Sequence, residues 1–288
     1  MIVDTHVHVF TDDRKKYPQI RDTDRAGKIP SITDIGQTEW PLTTVEILMQ
    51  EMDKAGVDKA TLVQAYFVYE YDNRYTIDAV RAHPQRFAAV VVLDPMDPKS
   101  PDVLSRMVET QGVAGIRFMR GRLPESSLGK PETFALWARI EQLRIPLAIN
   151  DRLAELPKIR KPMERYPGVK VALEHAWGHK VGTPPDFAHL QPLFSLADNP
   201  NVHIKTAINN IAAAREEGGT PQQLYTKLVE VFGARRIMWS SNSPAHPKFG
   251  SVKSRLDIAK KELEFLSESD RKWIFGDTAL SVYTNLKG

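Results

Sequence analysis

A chain of 288 residues with 42% hydrophobic and 26% charged side chains has the balance of a folded globular protein long enough for a sizeable core, which excludes a disordered or fibrous chain. Its 39 basic and 36 acidic residues leave a net charge of +3, evenly spread, which argues against nucleic acid while leaving room for a small anionic ligand. The absence of cysteine excludes disulfides, thiolate metal ligands and a cysteine nucleophile; with no apolar leader at "MIVDTHVHV" and no membrane-length apolar run, the expectation is a cytoplasmic protein with no membrane partner.

The first predicted strand covers residues 2–9, and short apolar runs recur at 60–64, 88–94, 113–118, 146–150, 169–175, 201–206 and 236–240. Between them lie amphipathic stretches at helical spacing, at 43–55, 132–143, 153–165 and 221–232. Strands apolar enough to be buried on both faces, alternating with helices, predict a parallel sheet covered by helices. Eight of them favour an α/β fold of the closed (β/α)8 TIM-barrel type; the alternative is an open doubly wound sheet, against which stands the lack of a Gly-rich turn after the first strand. No linker divides the chain, so one domain over residues 1–288 is expected, and no periodic pattern marks an exposed interface, which leaves a homo-oligomer open. The polar insertion at 11–41 overhangs the C-terminal mouth and is either a lid or a plain surface loop.

In "VDTHVHV" His6 and His8 are two residues apart on one strand, so both imidazoles project to one side, inward if Val7 and Val9 pack outward. That is half a metal site. Arg117 at the end of "GIRF", with Arg120 and Arg122 beyond it, concentrates guanidiniums at the fourth mouth position, where bidentate carboxylate recognition competes with a solvated basic loop. Gln64 and Tyr66, then Tyr69 and Tyr71, offer an amide, phenols and aromatic walls to a cyclic substrate. Trp177 and His179 wall the pocket or cap the rim, His179 being the candidate substitute base. Lys205 either stabilises an oxyanion or snorkels at the rim. His83, His189 and His203 are assigned no catalytic role.

The order "VDTHVHV", "WPLTTVEILMQEMDKAGVDKATLVQ", "YDNRYTIDAVRAHPQRFAAVVVLDP", "VAGIRFM", "VKVALEHAWG" and "RIMWSSNSP" resembles the amidohydrolase superfamily, in its amidohydrolase-2 branch of lactonases, decarboxylases and hydratases, over nearly the whole chain. The resemblance implies that His6, His8 and His175 surround the reacting centre and that Asn242 stands where an aspartate is usual. An amide cannot exchange a proton with water as that carboxylate would, so Asn242 is either a natural variant with another role or an inactivating exchange. Asn150-Asp151 stands where many members carry a further histidine, which speaks against a two-metal centre. The implied cofactor is at most one divalent ion on His6, His8 and His175, with zinc suited to three imidazoles; the alternative is a metal-independent site. The implied function is hydrolysis of a lactone or similar cyclic ester bearing a carboxylate. The alternatives are a metal-dependent decarboxylase or hydratase of a small acid, and a catalytically silent small-acid-binding protein.

Overall fold

The computed structural model describes residues 1–20, 40–120 and 126–287. Eight strands, β1 (Val3–Val7), β2 (Lys59–Val63), β3 (Phe87–Val92), β4 (Val113–Met119), β5 (Leu147–Asn150), β6 (Val171–Leu173), β7 (Val202–Thr206) and β8 (Ile237–Trp239), pair in parallel in sequence order. Just past β8 the ring is drawn together: Val7 bridges Ser243 in parallel, Asn242 N–H donates to His6 O at 3.0 Å and His8 N–H to Ser243 O at 2.8 Å. The expected (β/α)8 barrel is the fold.

Alternation along each strand separates two apolar environments. Outward residues such as Leu62, Ala89, Val91, Ile116, Phe118, Ile204 and Trp239 join one large core with the surrounding helices. Inward residues are smaller: Val63, Ala88, Val90, Ala114, Ala148 and Ala172, with Val3 and Met238. Small side chains leave room in the lumen, and the C-terminal segment fills its lower end with Ala279, Val282, Tyr283 and Leu286. Lys59 Nζ at the start of β2 donates to Leu286 O at 2.8 Å, and Lys170 Nζ ahead of β6 to Ser281 O at 2.7 Å, which ties this plug to the N-terminal ends of the strands. The opposite, C-terminal mouth is left for chemistry.

β1 departs from strict alternation. Val3 faces the lumen, and so do His6 and His8, although Val3 and His6 are three positions apart. The register with β2 slips between Asp4 and Val7, which resets the parity. His6 and His8 therefore turn inward together while Val7 and Val9 join the outer core.

The helix Val45–Ala55 starts at Thr44, whose side chain accepts from Ile47 N–H, and ends at Gly56, whose φ of 69° is the left-handed geometry of a helix stop. The helix Pro221–Phe232 matches the expected range, with Thr220 and Gln223 forming a capping box. The helix expected over 153–165 is a 3-10 segment, Leu153–Ile159, followed by a short α-helix, Arg160–Arg165. Pro157 and Pro162 remove amide donors from that stretch, which is the physical reason. The sixth strand is also shorter than expected, because His175 already belongs to the 3-10 turn His175–Gly178. Of the 11–41 insertion, residues 21–39 lie outside the described residues, as does Arg122. Among the described residues no helix is long and apolar enough to cross a membrane.

Candidate active site

At the mouth a cavity of about 140 Å³ is lined by His6, His8, Asn150, His175, His179, Asn242, Arg117 and Tyr66, all expected from the sequence. Trp40, Phe67, Met119, Ala245 and His246 complete it. The two β1 imidazoles meet edge-on, with His6 Nε2 and His8 Nε2 3.0 Å apart. His175 lies edge-on to His6 on another side, ring centroids 4.7 Å apart, and Trp40 stacks on His8 at 5.1 Å.

What fixes these rings is a carboxylate that sequence reasoning missed. Glu174, two residues beyond the inward-facing Ala172, points into the lumen and is 2% exposed. Its Oε2 accepts from Arg117 Nε at 2.9 Å, Arg117 Nη2 at 2.6 Å and Asn150 Nδ2 at 3.1 Å. Its Oε1 lies 3.3 Å from His6 Nδ1, an ion contact without full hydrogen-bond alignment. Burial alone would raise the Glu174 carboxyl, but Arg117 and His6 hold it well below the usual carboxylate range. A glutamate in an otherwise apolar strand, in phase with the inward alanine, was the available signal.

Arg117 was expected to offer its fork to a substrate acid. The fork is instead satisfied inside the protein: Nε and Nη2 both donate to Glu174 Oε2, although the residue still lines the cavity.

Burial pushes all three imidazoles toward the neutral form, His8 down to about 3 and His6 and His175 well below the ordinary value, against the pull of Glu174. Below an unfolded-state value of about 6.5 the unfolded chain binds protons that the folded chain refuses, so their contribution to stability is full above that pH and is lost as pH falls. Each such group contributes a slope of about 1.4 kcal/mol per pH unit. Asp4, raised to about 6 by burial, works in the opposite sense but is one group against three. The melting temperature is therefore expected to drop steeply between about pH 6.5 and 5 in calorimetry. A flat profile across that window would show that the imidazoles are hydrated.

His8 Nδ1 lies 2.8 Å from Val63 O, so that nitrogen carries the proton, and His6 Nδ1 faces Glu174. Two Nε2 lone pairs then face each other, and neutral rings cannot satisfy both without a shared proton or a cation between them. Outer acceptors that orient each ring are what metal-binding histidines carry. In kind the donors fit a divalent ion. Among the described residues, however, no three His, Cys, Asp or Glu side chains enclose one point as a metal cage would, so His175 stands beside the pair without completing it.

Five expected binding residues lie elsewhere. Gln64 is fully buried, donating to Glu70 O at 3.3 Å and to Asp72 O and accepting from Thr76 Oγ1 at 2.7 Å, so its amide folds the loop after β2. The Tyr69 hydroxyl accepts from Thr11 N–H at 2.9 Å, anchoring the start of the insertion. Arg120 faces Asp151 Oδ1 at 3.8 Å and lines a separate basic groove. Trp177 is buried away from the cavity, with an indole N–H that has no hydrogen-bond partner. Lys205 is inside the lumen rather than at the rim, 5.4 Å over the Tyr283 ring, its Nζ without a hydrogen-bond partner and its pKa pushed down to about 8 by burial.

Asn242 adopts φ 56°, in the left-handed region that asparagine tolerates better than most residues. One guanidinium secures this turn: Arg255 Nη1 donates to Ser241 O at 3.0 Å and Asn242 O at 3.1 Å, Nη2 to His246 O at 3.1 Å and Nε to Gly250 O at 3.0 Å. Asp4 Oδ1 accepts Ser241 N–H at 2.9 Å and completes the support.

Known proteins resemble this chain across its length. The L-fucono-1,5-lactonase of Burkholderia ambifaria is 25% identical over 269 residues, 85% of this chain and 89% of that protein. A Pseudomonas putida structure assigned as a 2-pyrone-4,6-dicarboxylic acid hydrolase aligns with a TM-score of 0.72 at 21% identity, covering 99% of this chain and 97% of that one. A dihydroxybenzoic acid decarboxylase from Polaromonas, solved with bound manganese and 2-nitroresorcinol, aligns with a TM-score of 0.68 at 18% identity over 98% and 96% of the two chains. The model of the amidohydrolase family matches residues 3–284, from β1 to the last turn, and the chain belongs to that family.

Proposed function

We propose that this protein hydrolyses a lactone or similar cyclic ester of a small, carboxylate-bearing molecule. The observation that carries the reading is the convergence of three neutral imidazoles and one guanidinium on a single cavity of about 140 Å³, room for one small ring. The lactonase relative supports it in kind.

Arg117 receives the substrate carboxylate, and Glu174 holds the guanidinium rigid for that contact. Trp40, Tyr66 and Phe67 provide aromatic surface for the ring. His6, His8 and His175 sit where the ester carbonyl develops negative charge, and a proton or cation held between the His6 and His8 Nε2 atoms can stabilise it. His6 and His8, with His175 beside them, would hold a divalent ion, zinc by donor type, which when bound supplies Lewis-acid polarisation of the carbonyl. Without it, a proton shared between the His6 and His8 Nε2 atoms would polarise the carbonyl by hydrogen bonding. A cysteine-free chain suits such an enzyme in the cytoplasm.

Asn242 positions water or substrate while the proton is handled by a neighbour. Asn242→Asp is then expected to leave kcat/KM for lactone opening within about tenfold and to add a pH dependence near the carboxylate value of about 4. A gain of about a hundredfold or more would identify the amide as a block on the reaction and contradict this role. A panel of acid-bearing lactones, assayed on both forms, makes the comparison; turnover of a small aromatic acid with loss of CO2 and no lactone opening would favour a decarboxylase instead.

A further inference from the structure

The amide at Asn242 leaves hydrolysis without a base at its usual place, yet the same loop carries another candidate four residues on. His246 lines the cavity with Asn242, and its ring faces His179 across 6.3 Å between centroids at 69°. Its backbone is held at φ 54°, a left-handed geometry uncommon for any residue but glycine, and Arg255 Nη2 grips its carbonyl at 3.1 Å. A non-glycine residue persists in that region only where its surroundings enforce it, and such strain gathers at functional sites. Here the guanidinium that enforces it is the one that also holds Ser241 and Asn242.

We propose that His246 is the general base of the reaction, doing the work that Asn242 cannot. The proposal rests on the hydrolytic reading above. An imidazole nitrogen of His246 takes a proton from water as the water oxygen bonds to the lactone carbonyl carbon. Collapse of the tetrahedral adduct breaks the ring C–O bond, and the imidazolium returns the proton to the departing oxygen. Lactone plus water becomes a hydroxy acid, and the ring ends as it began.

The surroundings favour a free lone pair. Among the described residues, the groups facing His246 besides His179 are Arg255, Lys248 and the Phe249 ring, with no carboxylate among the charged ones. Burial first, then these cations, push the imidazole down to about 4. That is close to the basicity of an ordinary aspartate, about 3.9, so the stand-in matches the group it replaces. His179, the base expected from the sequence, is four residues from His175 on the turn that carries the histidine cluster, and His246 is the one whose backbone is clamped.

The test compares wild type, His246→Gln, His246→Ala and the double variant His246→Gln with Asn242→Asp on the lactone opened fastest, from about pH 4 to 9. Expected for both single variants are a loss in kcat of about a hundredfold or more, KM within about threefold and a near-native melting temperature. The double variant should regain about tenfold or more of the lost kcat, because the carboxylate resumes the role. Single variants that keep wild-type kcat, or a double variant that regains nothing, would overturn the assignment while leaving lactone hydrolysis intact. If wild type opens no lactone but decarboxylates a small acid, the hydrolytic reading fails by itself. His246 is then judged by the same criterion on that reaction, where the carbanion must be protonated. Turnover of neither class overturns both.

Discussion

Glu174→Gln is expected to destabilise the fold by about 3–5 kcal/mol and to lower kcat/KM by about a thousandfold. The glutamine keeps the shape of the side chain, so the loss isolates its charge. Arg117, 4% exposed, would then be a buried cation whose single anionic acceptor for Nε and Nη2 has become part of a neutral amide, and removing one member of a buried pair leaves the other uncompensated. His6 would lose the anion that orients its Nδ1, and Asn150 would lose a charged acceptor. All three line the cavity, so stability and activity should fall together. Because the Glu174 pKa is depressed in the fold, its contribution is present above the unfolded value of about 4.3 and fades as pH falls below it. Urea unfolding at neutral pH, repeated near pH 4, would show the gap between wild type and variant narrowing in acid. A loss under about 1 kcal/mol with activity retained would mean that another anion neutralises Arg117.

Arg255→Lys is expected to cost about 3–4 kcal/mol and at least about tenfold in kcat, although it preserves the charge. A guanidinium reaches four carbonyls on three sides, those of Ser241, Asn242, His246 and Gly250; an ammonium on a flexible stem cannot span them. At 2% exposure no water is at hand to satisfy the abandoned oxygens. Asn242 and His246, both at positive φ, would be free to relax, and the groups they present would leave the cavity. Calorimetry and steady-state kinetics on the one variant measure both effects, and a melting temperature within about 2 °C of wild type would contradict the clamp.

The sequence made the barrel legible because its strands are apolar on both faces and its helices are amphipathic, so periodicity alone separates them. His6 and His8 were legible for the same reason, since residues two apart share a face. The bulge that turns them inward was not, because Val3 and His6 would share no face in an unbroken strand. Gln64 and Tyr69 illustrate the opposite error. They lie near the mouth in sequence, but the chain turns into the short helix Tyr66–Tyr69, so that the Gln64 amide is consumed in its own loop and the Tyr69 hydroxyl by Thr11 N–H after β1. Lys205 was expected to stabilise an oxyanion or to snorkel at the rim; the inward phase of β7 carries it into the lumen, within electrostatic reach of Arg117 and Glu174. His246 carried no periodic signal at all. Its place depends on a turn whose left-handed residues are held by Arg255, a partner nine positions away whose direction no local pattern encodes.

The most direct measurement of the hydrolytic account is the fate of oxygen during turnover. The purified protein is incubated with acid-bearing monocyclic lactones in 18O-labelled water, with and without a chelator, and the products are read by mass spectrometry. The account predicts enzyme-dependent ring opening with one labelled oxygen in the new carboxylate, since water bonds to the carbonyl carbon and the ring oxygen leaves as a hydroxyl. No lactone consumed beyond the spontaneous rate, alongside CO2 released from a small aromatic acid, would contradict it.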